Sequence, residues 1–193
     1  MTEFDADLIS IQQARDLAQA ARAAQQKWAH ASQQEVDRVC AAMAAAGEAA
    51  AERLGAMANQ ETGYGVPAHK TLKNLLCSRI LWEEIKELKT VGVIQRDEAR
   101  GLVQIAWPMG VVAALIPSTN PTSTAFFKSI IAVKARNAIV IAPHPLAVQC
   151  TAEATRVMAE AAERAGAPAG LISCMTHISL DGTNALLKHR AVS

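Results

Sequence analysis

Gly110-Val-Val-Ala-Ala-Leu-Ile-Pro-Ser-Thr-Asn-Pro-Thr-Ser-Thr-Ala-Phe-Phe-Lys128 reads as a buried strand that ends in a sharp polar turn and feeds directly into a helix. Val111, Val112, Leu115 and Ile116 form a short apolar run, β-branched enough for a strand covered on both faces. Pro117 stops the run. Asn120 suits the N-cap of the next helix, and Pro121 suits the first helical position, where a missing N–H costs nothing. The free N–H groups of that helix's first turn then point at the strand's carboxyl end. In open α/β sheets this is where nucleotides and reacting carbonyls are held.

Downstream, the pattern alternates. Strands are expected near Val111–Ile116, Ala138–Ala142 and Leu171–Cys174, and helices near Pro121–Ala135, Leu146–Ala165 and Asp181–His189. Short connections between such elements mean parallel strands with right-handed crossovers. Ala191-Val-Ser193 look like the opening of another strand. Upstream, Val91–Ile94 and Leu102–Trp107 flank a charged turn and read as a β-hairpin. Their side chains do not alternate cleanly, so both hairpin faces are expected to be partly covered.

Three amphipathic helices precede the hairpin. The first runs from near Leu8 to Trp28. The second opens at the capping box Ser32-Gln-Gln-Glu35 and continues to Met57. The third begins near His69 and ends around Thr90. The organisation is therefore a helical segment over 1–90, a hairpin over 91–108 and a parallel-sheet region over 109–193.

Composition narrows the function classes. The chain has 193 residues, half of them apolar, few aromatics and a formal charge of +1. With no basic stripe, neither nucleic acid nor an anionic membrane is indicated as a partner. Met1–Ala20 carries acidic residues and no continuous apolar core, so it is read as neither signal peptide nor spanning helix. A soluble cytoplasmic protein is expected. Cys40, Cys77, Cys150 and Cys174 form no CxxC pair, which argues against zinc and against a disulfide framework.

Ile116-Pro-Ser-Thr-Asn-Pro-Thr-Ser-Thr124 with Lys134-Ala-Arg-Asn-Ala-Ile-Val-Ile-Ala-Pro-His-Pro145 resembles the CoA-acylating branch of the aldehyde dehydrogenase superfamily. Glu61-Thr-Gly-Tyr-Gly65, Lys70-Thr-Leu-Lys-Asn74 and Ala165-Gly-Ala-Pro168 fit that branch too, and the similarity runs from about Leu8 to the last residue. The resemblance implies an α/β fold with an aldehyde-dehydrogenase-type, Rossmann-like parallel sheet. It further implies an N-terminal helical segment and a β-hairpin arm that joins subunits into a homo-oligomer. The bare pattern is equally compatible with a hairpin packed on its own domain.

The activity implied is oxidation of a short aldehyde to its acyl-CoA through a cysteine thioester. NAD or NADP would be the cofactor and coenzyme A the co-substrate. No cysteine here stands in a context like that of the family's nucleophile. The chain is thus expected to supply the nucleotide-binding portion and to be inactive alone. By this resemblance Asn120, with Thr119 as the alternative, would donate to the developing oxyanion; simple helix capping explains an Asn-Pro pair equally well. Pro117, Ser118, Thr119 and Asn120 would line the nucleotide. Ala142, Pro143, His144 and Pro145 occupy the position that meets the adenosine ribose, with Thr183 and Asn184 near the adenine edge. No carboxylate stands at the ribose position, so the usual acidic-residue rule does not choose between NAD and NADP. Glu61 is expected to fix a loop rather than act as a base, and Lys128 and Lys134 to be solvated. Two further readings stay open: a non-acylating dehydrogenase, and a non-catalytic nucleotide-binding or assembly protein.

Overall fold

The computed structural model describes residues 5–193, so the first four residues of the Met1–Ala20 stretch lie outside the described residues. Helix α1 (Ala6–Trp28) buries Ala14, Ala18, Ala21, Ala24 and Trp28 along one face. Helix α2 (Gln33–Ala49) opens with the expected capping box. The Ser32 hydroxyl accepts from Glu35 N–H at 3.3 Å, and the Glu35 carboxylate accepts from Ser32 N–H at 2.8 Å. The second helix does not run through to Met57 unbroken. It stops at Ala50 and restarts as α3 (Ala51–Thr62). Beside the break, buried Asn74 donates its side-chain amide to the Ala51 carbonyl at 2.9 Å. Gly63 then closes α3 in the left-handed conformation, φ 69°.

The third expected helix is also segmented. Helix α4 (Pro67–Leu75) passes through a π-helical turn, Leu76–Ile80, into α5 (Leu81–Ile85). It stops short of Thr90 because tertiary bonds claim the residues that follow. The Lys86 carbonyl accepts from Lys134 Nζ, Thr90 N–H donates to Gln33, and the Thr90 hydroxyl donates to the Lys134 carbonyl.

The hairpin pairs β1 (Gly92–Asp97) with β2 (Leu102–Ala106), antiparallel, with a bulge between Val93 and Gln95. Its faces are not covered as expected. Val93, Ile94, Leu102, Val103 and Ile105 are all exposed. Its root is tied down by the Arg136 guanidinium, which donates to the carbonyls of Ala29 and Ala106.

The sheet consists of β3 (Val111–Ile116), β4 (Ala138–Pro143) and β5 (Ile172–Cys174), parallel and in the order β3-β4-β5. Helix α6 (Pro121–Lys134) joins β3 to β4. A 3₁₀ turn at Pro145–Ala147 and helix α7 (Val148–Arg164) join β4 to β5. Helix α8 (Leu180–Leu187) follows, capped by the Ser179 hydroxyl. All six residues of β4 are buried. β3 is covered less than expected: Leu115 is exposed, and Val112 and Ala113 are half-buried.

Helices α6 and α7 pack together against the sheet, and α1, which touches all three strands, packs with α8, the arrangement that right-handed crossovers favour. After α8 the chain returns to the free edge of β3, where Val192 bridges Val111 in parallel, as expected of a further strand opening there. This reversal of strand order defines a topological switch point beside β3. Phe126, Ile130, Ile139, Ile141 and Met158 fill the space around the sheet, with Met43 and Leu54 from α2 and α3. At Gly47 the helices approach so closely that an added Cβ would lie 2.8 Å from Ser78 Cβ.

Lys134 is not solvated. It is 3% exposed, pairs with Asp37 and stands 5.3 Å from the centre of the Trp82 ring. Lys128, half-buried, donates to the Leu115 carbonyl at 2.7 Å. No described helix is long and apolar enough to cross a membrane.

Candidate functional site

The strand-to-helix turn after β3 forms a polar corner. Pro117 and Thr119 are exposed, Ser118 and Asn120 half-buried. Asn120 occupies the N-cap position of α6, yet its side chain makes no capping hydrogen bond. Its amide oxygen instead accepts from Lys73 Nζ at 2.9 Å. Its amide nitrogen has only a long contact, 3.5 Å, to the Thr119 hydroxyl. Capping alone therefore does not account for this asparagine.

Three residues of α4 meet the corner. Lys70 Nζ donates to the Thr119 carbonyl at 3.0 Å, Lys73 takes the Asn120 amide oxygen, and Asn74 Oδ1 accepts from the Thr122 hydroxyl at 2.8 Å. Positions 70, 73 and 74 lie at i, i+3 and i+4, on one face of a helix. That spacing was the available signal for them, but sequence reading gave these residues no role. Lys70 is buried; burial, and next its neighbour Lys73, push its ammonium pKa down. With the positive end of α6, the corner is electropositive and contains donors rather than carboxylates.

A cleft of about 290 Å³ opens at the carboxyl ends of β3 and β4. Leu115, Ile116, Ala142, Pro143, Pro145 and Leu180 give it apolar walls, and His144, Ser179 and Thr183 its polar groups. Ala142, Pro143, His144, Pro145 and Thr183, widely separated in sequence, are brought together here. Asn184 is exposed and outside the lining. The four corner residues adjoin the cleft through Ile116 without lining it. His144 Nδ1 accepts from Leu146 N–H at 3.1 Å, which leaves Nε2 as the donor end of the neutral ring. The Thr183 hydroxyl is spent on the Ser179 carbonyl.

This volume is at the small end of the ~300–1,000 Å³ typical of ligand pockets, enough for one half of a dinucleotide. Apolar walls with a few polar groups at a switch point suit a nucleoside. A larger groove of about 660 Å³ runs along α1 from Leu8 to Leu17, but none of its lining residues lies at a strand end.

Glu61 has a structural task. Its carboxylate oxygens accept from Gln149 N–H at 2.8 Å and Cys150 N–H at 2.7 Å, capping the first turn of α7 from the last turn of α3 rather than fixing a loop. Replacing Glu61 by Ala should destabilise the chain by about 1–2 kcal/mol through loss of this cap. A urea midpoint unchanged from wild type would show that the cap contributes nothing.

None of the cysteines is poised as a nucleophile. Burial pushes the thiols of Cys40, Cys150 and Cys174 up to about 12, and raises Cys77 as well. Among the described residues no group of three or more His, Cys, Asp or Glu is placed to hold a metal ion.

A parallel sheet with a switch-point cleft and a donor-rich corner is the arrangement in which open α/β sheets hold their ligands. Residues 5–193 match the model of the aldehyde dehydrogenase family, and the chain belongs to that family. It is 39% identical over 173 residues to the bifunctional aldehyde-alcohol dehydrogenase AdhE of Escherichia coli, covering 90% of this chain and 19% of that protein. An acetylating aldehyde dehydrogenase from Geobacillus thermoglucosidasius superposes with a TM-score of 0.97 at 53% identity, over 99% of this chain and 42% of that one. The propionaldehyde dehydrogenase of Rhodopseudomonas palustris, solved with bound CoA and an acylated cysteine, gives 0.78 at 30% identity over 93% of this chain and 40% of its own. An engineered glycolyl-CoA reductase with bound NADP+ gives 0.78 at 29%, over 93% and 40%. The chain thus spans about a fifth to two fifths of these proteins.

Proposed function

We propose that the chain supplies the nucleotide-binding part of an NAD(P)-dependent, CoA-acylating aldehyde dehydrogenase, the nucleophilic cysteine coming from the remainder of the enzyme. The observation that carries this reading is the carboxyl-end cleft beside the corner at 117–120. The CoA-bound and NADP+-bound relatives support it.

In that reaction a thiolate adds to the aldehyde carbon, hydride leaves to the nicotinamide, and the resulting thioester passes to CoA with return of the cysteine thiolate. Within this chain, the Asn120 amide nitrogen donates to the carbonyl oxygen as negative charge builds on it, with the Thr119 hydroxyl beside it. Pro117 and Ser118 line the path of the nucleotide. Ile116, Ala142, Pro143 and Pro145 give the adenosine end apolar contact, and His144 Nε2 donates to a ribose oxygen or a phosphate. No carboxylate is among the residues lining the cleft, so nothing there repels a 2′-phosphate, and the cofactor is NAD or NADP.

The complete enzyme, given a short aldehyde and NAD+ or NADP+, should form reduced cofactor and acyl-CoA only when CoA is added. Release of the free acid without CoA would establish the non-acylating reading instead. Crystals of the chain soaked with each dinucleotide should show density in the cleft; ordered density elsewhere removes the basis of the assignment.

The exposed apolar hairpin fits the arm of a homo-oligomer. Ile105→Asp, placed on that surface, should lower the assembly mass seen by light scattering; an unchanged mass would assign the contact to another face. The four unpaired cysteines suit a reducing compartment, so the cytoplasm is the proposed location, to be checked by fractionation.

A further inference from the structure

The motif Lys70-Thr-Leu-Lys-Asn74 takes no part in the proposed reaction, yet three of its side chains reach the corner. We propose that Lys73 is a positioning residue. Its ammonium holds the Asn120 amide oxygen, and this decides both where that side chain lies and which end of the amide is offered to a ligand. The inference rests on the reading of Asn120 as donor to the carbonyl oxygen.

An Asn at an N-cap ordinarily turns its oxygen onto the N–H of the second or third helical residue. Here the backbone has N-cap placement, but the oxygen is engaged by Lys73 and α6 has no side-chain cap. With the oxygen committed, the NH₂ group is the free end, its one hydrogen bond among the described residues being the long one to Thr119. An amide presents either an acceptor or a donor depending on a flip of its plane. A carbonyl oxygen gaining negative charge needs the donor. Lys73 selects that orientation, and its positive charge favours the same developing anion. Lys70 and Asn74, one on each side, fix the Thr119 carbonyl and the Thr122 hydroxyl, so the backbone on which Asn120 rides is held at two further points. A single helical face thus sets the register of the whole turn.

Two measurements test this. In crystals of the 193-residue chain carrying Lys73→Met, the Asn120 amide should turn back to cap α6, its oxygen accepting from Ser123 N–H. An Asn120 side chain left in its present place would overturn the proposal, whatever the enzyme's activity. In the complete enzyme, Lys73→Met should lower kcat about 100-fold, the scale of a misplaced reacting group, with the KM for NAD(P)+ changed less than about threefold. Lys73→Arg should recover most of that loss. The double variant Lys73→Met/Asn120→Ala should be no slower than Asn120→Ala alone, because the lysine acts through the asparagine. Independent, multiplying losses in the double variant would sink it, as would parallel falls in cofactor affinity and stability. An unmutated enzyme that did not oxidise aldehydes would instead overturn the functional reading, leaving the crystallographic result to decide the role of Lys73.

Discussion

Asn120→Ala in the complete enzyme is expected to reduce kcat by about 10²–10³, the usual cost of removing one fixed donor from a developing oxyanion. The effect should fall on kcat and kcat/KM alike, because the interaction strengthens only as charge accumulates on oxygen. Stability should change little, since the side chain does not cap α6 and is only half-buried. If Thr119→Val proved the more damaging change and Asn120→Ala nearly silent, the donor would be the threonine hydroxyl. The two residues are adjacent, and their side chains are 3.5 Å apart, so kinetics are needed to distinguish them.

The largest expected loss of stability is at Phe126. Its ring is fully buried in α6, near the point where α2 passes at Gly47. Phe126→Ala removes a large apolar contact and leaves a cavity that fixed helices on both sides cannot collapse into, a cost of about 3–5 kcal/mol. Against the ~5–15 kcal/mol typical of a whole domain, this would leave little margin. Urea denaturation should show the midpoint falling with the slope nearly unchanged. A loss below about 1 kcal/mol would mean that α6 shifts to fill the space.

The parts of the fold written in local punctuation were legible in the sequence. Pro117 and Pro121 bracket the turn after β3, and the Ser32–Glu35 box marks the start of α2. Those signals act over three or four residues, and each is a property of the backbone it sits on. The features that were not legible depend on partners far along the chain. Nothing in an alanine-rich run marks Ala50 as a break; Asn74 ties the chain there from another helix. Lys134 resembles any lysine at a helix end until Asp37, Trp82 and the Lys86 carbonyl close around it. The hairpin pattern did not reveal that both its faces stay open.

The candidate site divides along the same line. The cleft could be assembled from strand ends because a parallel sheet places its carboxyl termini side by side. Asn120 was recognisable as an N-cap by type and position, yet its side chain is drawn away by Lys73. A local preference worth about 1 kcal/mol yields to one charged donor supplied from α4. Glu61 was expected to fix its own loop; it sits instead in the last turn of α3 and caps the start of α7, almost half the chain away.

The π-helical turn at Leu76–Ile80 gives the long helix two independent angular settings. Each residue advances an α-helix by about 100°, so the one extra residue rotates everything after it relative to what precedes. Lys70, Lys73 and Asn74 are thereby phased to the turn beyond β3, while Trp82 and Ile85 are phased to the core and to Lys134. An uninterrupted α-helix of the same sequence could satisfy one of those sets only by turning the other away. The widened turn works as a gear offset, letting the half that meets the turn after β3 be retuned without disturbing the half that anchors it.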